Sequence, residues 1–379
     1  MRVIHLVHGK ANPDGHNGIS RVVYHFNKQE RAQGIDSEIW AVVDEAQSHF
    51  AHRRDEYVTV ECFPRVRLPW GKHEIVDRLI AERESIDLVH FHMIWFYDKN
   101  IIADALARAG IPYIITTHGT YSKPHAWTGK RRIARLLFER SFLNGAAEIH
   151  AITDKEREEL RRYGYDGATF LAPNGIAPEE IPAQRNTQFF AGSKNKNRTR
   201  LLWIGVKRAD KNLDGLVAAI AMLPEDLRDT LTVSLVGPDH KGTEAHVKAL
   251  AARLGVDDCI ESSGPVYGPE KYDAIESADL FILPSVNEVF ALAMLDAMAC
   301  AKPCLASHGC GYTPFADDDF FIGFEPTPEG ISEAIQEMFD RRQEWSQMGK
   351  NAKSVIDRKL TWDAISRTMI DNYRRISAG

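Results

Sequence analysis

Short apolar strands alternate with amphipathic helices through two long series, and that alternation limits the fold of this chain more than any other feature. Val3 to Val7 are mostly apolar, and a loop rich in Gly, Asn and Asp follows from Gly9 to Gly18. Ile19, Val22, Val23 and Phe26 recur at helical spacing, stop at Gly34, and precede a strand from Glu38 to Val43. The unit repeats as Asp87-Leu-Val-His-Phe-His, a helix near Asn100 to Ala109, and Ile111-Pro-Tyr-Ile-Ile-Thr-Thr. Ala147 to Ile152, a charged helix from Asp154 to Tyr163, and Ala168 to Leu171 extend it. Strands joined by helices of this length predict a parallel sheet covered on both faces.

Residues 182 to 200 are polar, basic and aperiodic, and read as a connection between domains. A second series starts at Leu201-Leu-Trp-Ile-Gly and runs through Thr232 to Val236, Phe281 to Pro284 and Pro303 to Ser307. An amphipathic helix around Trp362 to Ile376 closes the chain. At 379 residues the expectation is two α/β domains, 1–182 and 183–361, with the helix at 362–379 packing back onto the first.

Composition narrows the function. A formal net charge of -6 argues against a general nucleic-acid binder, whose phosphate contacts require a basic surplus. No apolar run reaches 18 residues, so no span is expected, and MRVIHLVHGK reads as a first strand rather than a secretory signal. Five irregularly spaced cysteines suit reduced thiols and a cytoplasmic setting. Cys300, Cys304 and Cys310 are expected to be packed small residues rather than metal ligands.

Open parallel sheets bind ligands beyond the carboxyl ends of their strands. Three such places carry unusual chemistry. In Pro284-Ser-Val-Asn-Glu-Val-Phe-Ala-Leu-Ala-Met-Leu-Asp, Glu288 lies in a loop and a helix is expected to start near Phe290. The backbone N–H groups at Phe290, Ala291 and Leu292 would then face a diphosphate, and Asp296 would lie where it reaches ribose hydroxyls. The second place is Trp203-Ile-Gly-Val-Lys-Arg-Ala-Asp-Lys, a cationic turn ahead of a helix. The third pairs the early loop, ending at Gly18, with Thr116-Thr-His-Gly-Thr, which carries His118. His90 and His92 are expected to pack within or at the end of their strand.

The stretch from Glu288 to Asp296, followed by Ala-Met-Ala-Cys and Lys302-Pro, resembles the E-x7-E signature of the retaining glycosyltransferases of family 4, which have the GT-B fold. The resemblance covers nearly the whole chain and implies two Rossmann-like domains facing a cleft. It implies a nucleotide diphosphate sugar as donor, a glycan or lipid-linked saccharide as acceptor, retention at the anomeric carbon, a role in polysaccharide biosynthesis, and no cofactor or essential metal. By carry-over, Glu288 lies beside the transferred sugar, Asp296 stands where the family has its second Glu on the ribose, and His118 lies near sugar and acceptor. Gly18 stands against the donor phosphates. Lys211 matches the family's diphosphate Lys, while Val206 occupies its Arg position, so that Lys207 or, preferably, Arg208 supplies the second cation.

Asp317-Asp-Asp is read as an exposed acidic loop rather than a metal site. Residues 121 to 140, with Lys123, Trp127, Lys130, Arg131, Arg132, Arg135 and Arg140, form either a helix with one solvated basic face or a surface for an anionic membrane. Two other functions stay open: an epimerase or phosphorylase on the same fold, and a catalytically degenerate binding subunit.

Overall fold

The computed structural model describes residues 1–9, 18–44, 58–66, 73–93, 98–121, 139–312 and 319–378. The chain divides into two units, Met1–Gly175 with Trp362–Gly379, and Ile176–Thr361.

The first unit is built on seven parallel strands: β1 (Arg2–His8), β2 (Asp36–Val43), β3 (Val60–Pro64), β4 (Leu88–His92), β5 (Tyr113–Thr116), β6 (Glu148–Ala151) and β7 (Thr169–Leu171). Their order is β3-β2-β1-β4-β5-β6-β7, so the chain reverses its direction of growth between β1 and β4. The described helices are α1 (Gly18–Ala32), α2 (Glu74–Ala81), α3 (Lys99–Ala109), α4 (Arg140–Gly145) and α5 (Asp154–Tyr163). Local chemistry sets their ends. The Thr153 side chain accepts from Glu156 N at the start of α5, and Gly110 and Gly164 close α3 and α5 at φ 72° and 88°, where a Cβ would be strained.

Ile4, Leu6, Trp40, Val89, Phe91 and Ile115 bury one face of this sheet, and Val7, Val23, Ile39 and Val60 part of the other. The closing helix, α12 (Trp362–Ser377), belongs to this unit. Trp362 stacks on His25 at 5.3 Å and meets Phe26 edge-on at 5.1 Å.

The second unit has six parallel strands: β8 (Thr199–Ile204), β9 (Leu231–Val236), β10 (Ile260–Ser263), β11 (Leu280–Leu283), β12 (Cys304–Ser307) and β13 (Phe321–Phe324). Their order, β10-β9-β8-β11-β12-β13, puts the reversal between β8 and β11. Its principal helices are α6 (Leu213–Met222), α7 (Thr243–Leu254), α8 (Pro269–Glu276), α9 (Leu292–Ala299), α10 (Pro328–Asp340) and α11 (Trp345–Lys359). Residues 182 to 200, expected as a connection, are tied to this unit. Arg185 pairs with Glu276 at 2.8 Å, and Asn186 N donates to Asp273 at 2.7 Å.

Among the described residues no helix is long and apolar enough to cross a membrane. None of the five cysteines is in a disulfide, and Cys300, Cys304 and Cys310 are buried. The basic segment from Lys123 to Arg135 lies outside the described residues, as do Asp317 and Asp318; Asp319 pairs with Arg341 at 2.9 Å.

Candidate active site

In a doubly wound sheet the crevice opens where strand order reverses, beyond the carboxyl ends of the strands. In the second unit that point lies beyond β8 and β11, and the loops after these two strands carry Lys207 to Lys211 and Ser285 to Ala291. Lys211 Nζ donates to Glu288 Oε2, joining the two loops; both side chains are largely shielded, at 17% and 24% exposure. Glu288 is fixed from behind as well, its backbone N donating to Gly309 O at 3.2 Å after β12. Asn212, in the left-handed region at φ 58°, donates from one amide nitrogen to Pro284 O at 2.9 Å and Pro326 O at 3.0 Å. That one side chain links the loops after β8, β11 and β13.

The cations near Val206 differ sharply. Lys207 is 1% exposed and donates to Glu244 Oε2 at 2.7 Å and Ser263 O at 2.6 Å. It is an internal tie, and the hydrogen bonds from Lys207 and Lys248 draw the Glu244 carboxyl down to about 2. Arg208 is exposed, and its guanidinium pairs with Asp210, which holds its pKa up. Of the two, only Arg208 presents a charge to solvent. Val206 is 43% exposed.

The helix expected near Phe290 begins at Leu292, with Ala291 as its cap residue. Phe290 precedes it because its ring is buried against Tyr312, centroids 4.4 Å apart, and the Tyr312 hydroxyl donates to Ala291 O at 2.5 Å. Asp296 is 2% exposed. Its Oδ2 accepts from Lys271 Nζ at 2.6 Å and its Oδ1 from the Tyr272 hydroxyl at 3.0 Å, so the carboxylate expected on a ribose clamps α9 to α8. One methylene shorter than Glu, it stays at the helix surface, where α8 meets it.

In the first unit the reversal lies beyond β1 and β4. Gly18 opens α1 after β1; residues 10 to 17 lie outside the described residues. His118 follows β5 with φ 49°, a conformation that costs a non-glycine residue about 1–3 kcal/mol and must be held by its surroundings. A buried carboxylate does the holding. Glu156 accepts from the Thr117 hydroxyl, from Gly119 N at 2.8 Å and, on its other oxygen, from Ile152 N at 2.8 Å. Burial nevertheless raises its pKa above the ordinary value.

His118 Nε2 lies 3.1 Å from His92 Nδ1. His90 and His92 are buried in β4, where burial and neighbouring imidazoles hold both pKa values well below 6.5. His5, His90 and His92 have ring nitrogens within metal-ligand reach of one another, the one such group among the described residues. Hydrogen bonding already engages these nitrogens. The Ala172 carbonyl accepts from His150 Nε2 at 2.7 Å, so His150 Nδ1 accepts from the Thr116 hydroxyl at 2.7 Å. Thr116 Oγ1 then accepts from His90 Nε2 at 2.6 Å, and His90 Nδ1 accepts from the Tyr373 hydroxyl at 2.8 Å. The motif reading did not reach Glu156 or the histidine files. The Thr153-x-x-Glu156 spacing is the available signal, since it places an acid in a first helical turn.

Residues 184–355 match the family described as glycosyl transferases group 1, and residues 16–180 match glycosyltransferase family 4. A D-inositol 3-phosphate glycosyltransferase of Catenulispora acidiphila is 27% identical over 307 residues, covering 76% of this chain and 70% of the relative. Among solved structures, sucrose-phosphate synthase from Thermosynechococcus elongatus superposes over 100% of both chains with a TM-score of 0.79 and 18% identity. Anabaena HepE in complex with UDP aligns over 99% of this chain and 100% of its own, with a TM-score of 0.78 and 16% identity. The fold is that of the GT-B proteins.

Proposed function

The chain belongs to the group 1 glycosyltransferases, and we propose that it moves a hexose from a uridine diphosphate sugar to a hydroxyl of a glycan, a lipid-linked saccharide or a phosphorylated cyclitol, with retention at the anomeric carbon. One observation carries the proposal: Lys211 and Glu288 meet on the two loops that flank the strand-order reversal of the second sheet, in the stretch matched to the group 1 family. The uridine nucleotide is favoured by the UDP bound in HepE, and the cyclitol by the name of the Catenulispora relative.

Charge develops on the diphosphate as the glycosidic bond breaks. Lys211 and exposed Arg208 supply cations to it, and one oriented donor is worth about 2.7–4 kcal/mol in the transition state. Glu288 keeps the Lys211 ammonium aimed and offers its carboxylate to the sugar; the backbone of Ala291 and Leu292 faces the phosphates. The motif resemblance assigns Gly18 to the donor phosphates and His118 to the sugar. The acceptor oxygen attacks the anomeric carbon, the bond to the phosphate oxygen breaks, and the departing phosphate takes the hydroxyl proton. Asp296 supports the site through Lys271 and Tyr272, and reaches a ribose only when Lys271 yields its place. No metal enters this scheme.

The test is nucleoside diphosphate release from a panel of nucleotide sugars with and without hydroxyl acceptors, and the anomeric configuration of the product by NMR. Acceptor-dependent release with retained configuration is expected. Product formation without an acceptor, or dependence on free phosphate, would establish an epimerase or phosphorylase instead. Nucleotide binding without turnover would establish a binding subunit.

A further inference from the structure

Four side chains of the first unit form an unbroken file that ends at His118. Glu30 lies on α1, His5 in β1, His92 at the end of β4, and His118 after β5. Glu30 Oε2 is 2.7 Å from His5 Nε2, His5 Nδ1 is 2.9 Å from His92 Nε2, and His92 Nδ1 is 3.1 Å from His118 Nε2. Glu30 and His5 are 0% exposed and His92 is 1%.

The file has a direction. The Asn27 amide donates to Ser37 Oγ at 2.9 Å, and the Ser37 hydroxyl donates to Glu30 Oε2 at 2.7 Å, so that oxygen accepts. With His5 and His92 both neutral, His5 donates to it from Nε2 and accepts at Nδ1. His92 consequently donates from Nε2 and accepts at Nδ1, and the donor it accepts from is His118 Nε2–H. Each neutral imidazole carries one proton, so one accepting carboxylate fixes three tautomers in series.

Neutrality of His92 is supported separately, because burial and neighbouring imidazoles hold it well below its ordinary pKa. The titratable groups around the file are Glu30 on α1, His90 on β4, His150 on β6 and Tyr373 on α12; no lysine or arginine pairs with Glu30 among the described residues.

We propose that Glu30, His5 and His92 are positioning residues that hold His118 as its Nε2–H tautomer, with Nδ1 unprotonated and able to accept from a sugar hydroxyl. This rests on the reading that His118 contacts the sugar. A histidine whose tautomer is set by a buried carboxylate loses as much as about 10⁴-fold in turnover when that setting is removed. The longer, softer file here places the expected loss nearer the ~10²-fold of a misaligned group.

The test uses the whole chain with ¹⁵N-labelled histidine, read above neutral pH, with the His118 signals identified by their absence in His118→Gln. Wild type should show the Nε2–H pattern. In His92→Leu, which can neither donate nor accept, His118 should become a tautomer mixture and kcat should fall by roughly 10-fold or more while donor KM holds within about threefold. His92→Gln, whose amide donates to His5 and accepts from His118, should restore most of both. Glu30→Gln serves if His92→Leu does not fold: its amide donates toward His5 and should raise the Nδ1–H population at His118.

A folded His92→Leu or Glu30→Gln in which His118 keeps a pure Nε2–H pattern overturns the proposal, whatever the activity. If the tautomer shifts as expected but His118→Gln turns over like wild type, the positioning file stands and the catalytic reading of His118 falls.

Discussion

Substituting Gly309 by alanine should displace Glu288 without altering it. A Cβ on Gly309 would lie 2.1 Å from Val286 O, 2.8 Å from Val286 C and 3.2 Å from Ser285 O, all backbone atoms that no rotamer change can withdraw. A carbon–oxygen contact needs about 3.3 Å, so the Val286 peptide must retreat by about 1.2 Å. Gly309 is not among the glycines with positive φ, so alanine can adopt its backbone and the effect is steric alone. Val286 is two residues from Glu288, whose N is held 3.2 Å from Gly309 O. The retreat therefore loosens that hydrogen bond and carries the carboxylate off Lys211.

Overpacking of this kind costs about 1–3 kcal/mol of stability, which a 186-residue unit should survive. Misplacing a reacting group by about 1 Å costs up to ~10²-fold in rate. Steady-state nucleoside diphosphate release should show kcat down about 100-fold, with urea denaturation reporting the smaller stability loss. A folded Gly309→Ala protein with kcat within about threefold of wild type would refute the link between the Glu288 loop and turnover.

Two further outcomes come from buried charge. Asp296→Asn leaves Lys271 without its carboxylate in a nearly buried pair, so urea denaturation should show a loss of about 3 kcal/mol; a loss under about 1 kcal/mol would mean the pair is not holding α9 to α8. Glu244 has a folded pKa lowered to about 2 from an ordinary 4.5, so its stabilisation is complete above about pH 5 and is lost as pH falls toward 2. Its carboxylate is partly exposed, so Glu244→Gln should cost about 1–2 kcal/mol at pH 7, narrowing as the pH falls below 4; a loss that grows at low pH would reverse the sign of the argument.

The sequence showed both alternating series and the helix from Asp154 to Tyr163, because a Thr cap, a helical apolar period and a closing Gly all agree there. It did not show β10, whose Ile-Glu-Ser-Ser is a half-exposed sheet edge without an apolar run. α9 starts two residues after Phe290, the first apolar residue in helical register, because that ring packs on Tyr312 instead. Motif spacing pointed to Lys211 and Glu288 and preferred Arg208 to Lys207; the tie of Lys207 to Glu244, on a later helix, is beyond what spacing can show. His90 and His92 of β4 read as residues packed in their strand, and both are buried there, as is His5 of β1. Their connection to His118 depends on strand register, with His5 opposite His90 and His92 opposite Thr116, and on a carboxylate from α1.

The central claim is that Lys211 and Glu288 mark a nucleoside diphosphate site, and thermal unfolding with UDP, GDP, ADP and dTDP, run on wild type and Lys211→Ala together, tests it most directly. A ligand at about 100 times its Kd adds about 2.7 kcal/mol of stability. One diphosphate, expected to be UDP, should raise the Tm of wild type and leave Lys211→Ala nearly unmoved. If no nucleotide shifts the folded wild type, or if the variant shifts equally, the donor site is not where this account puts it.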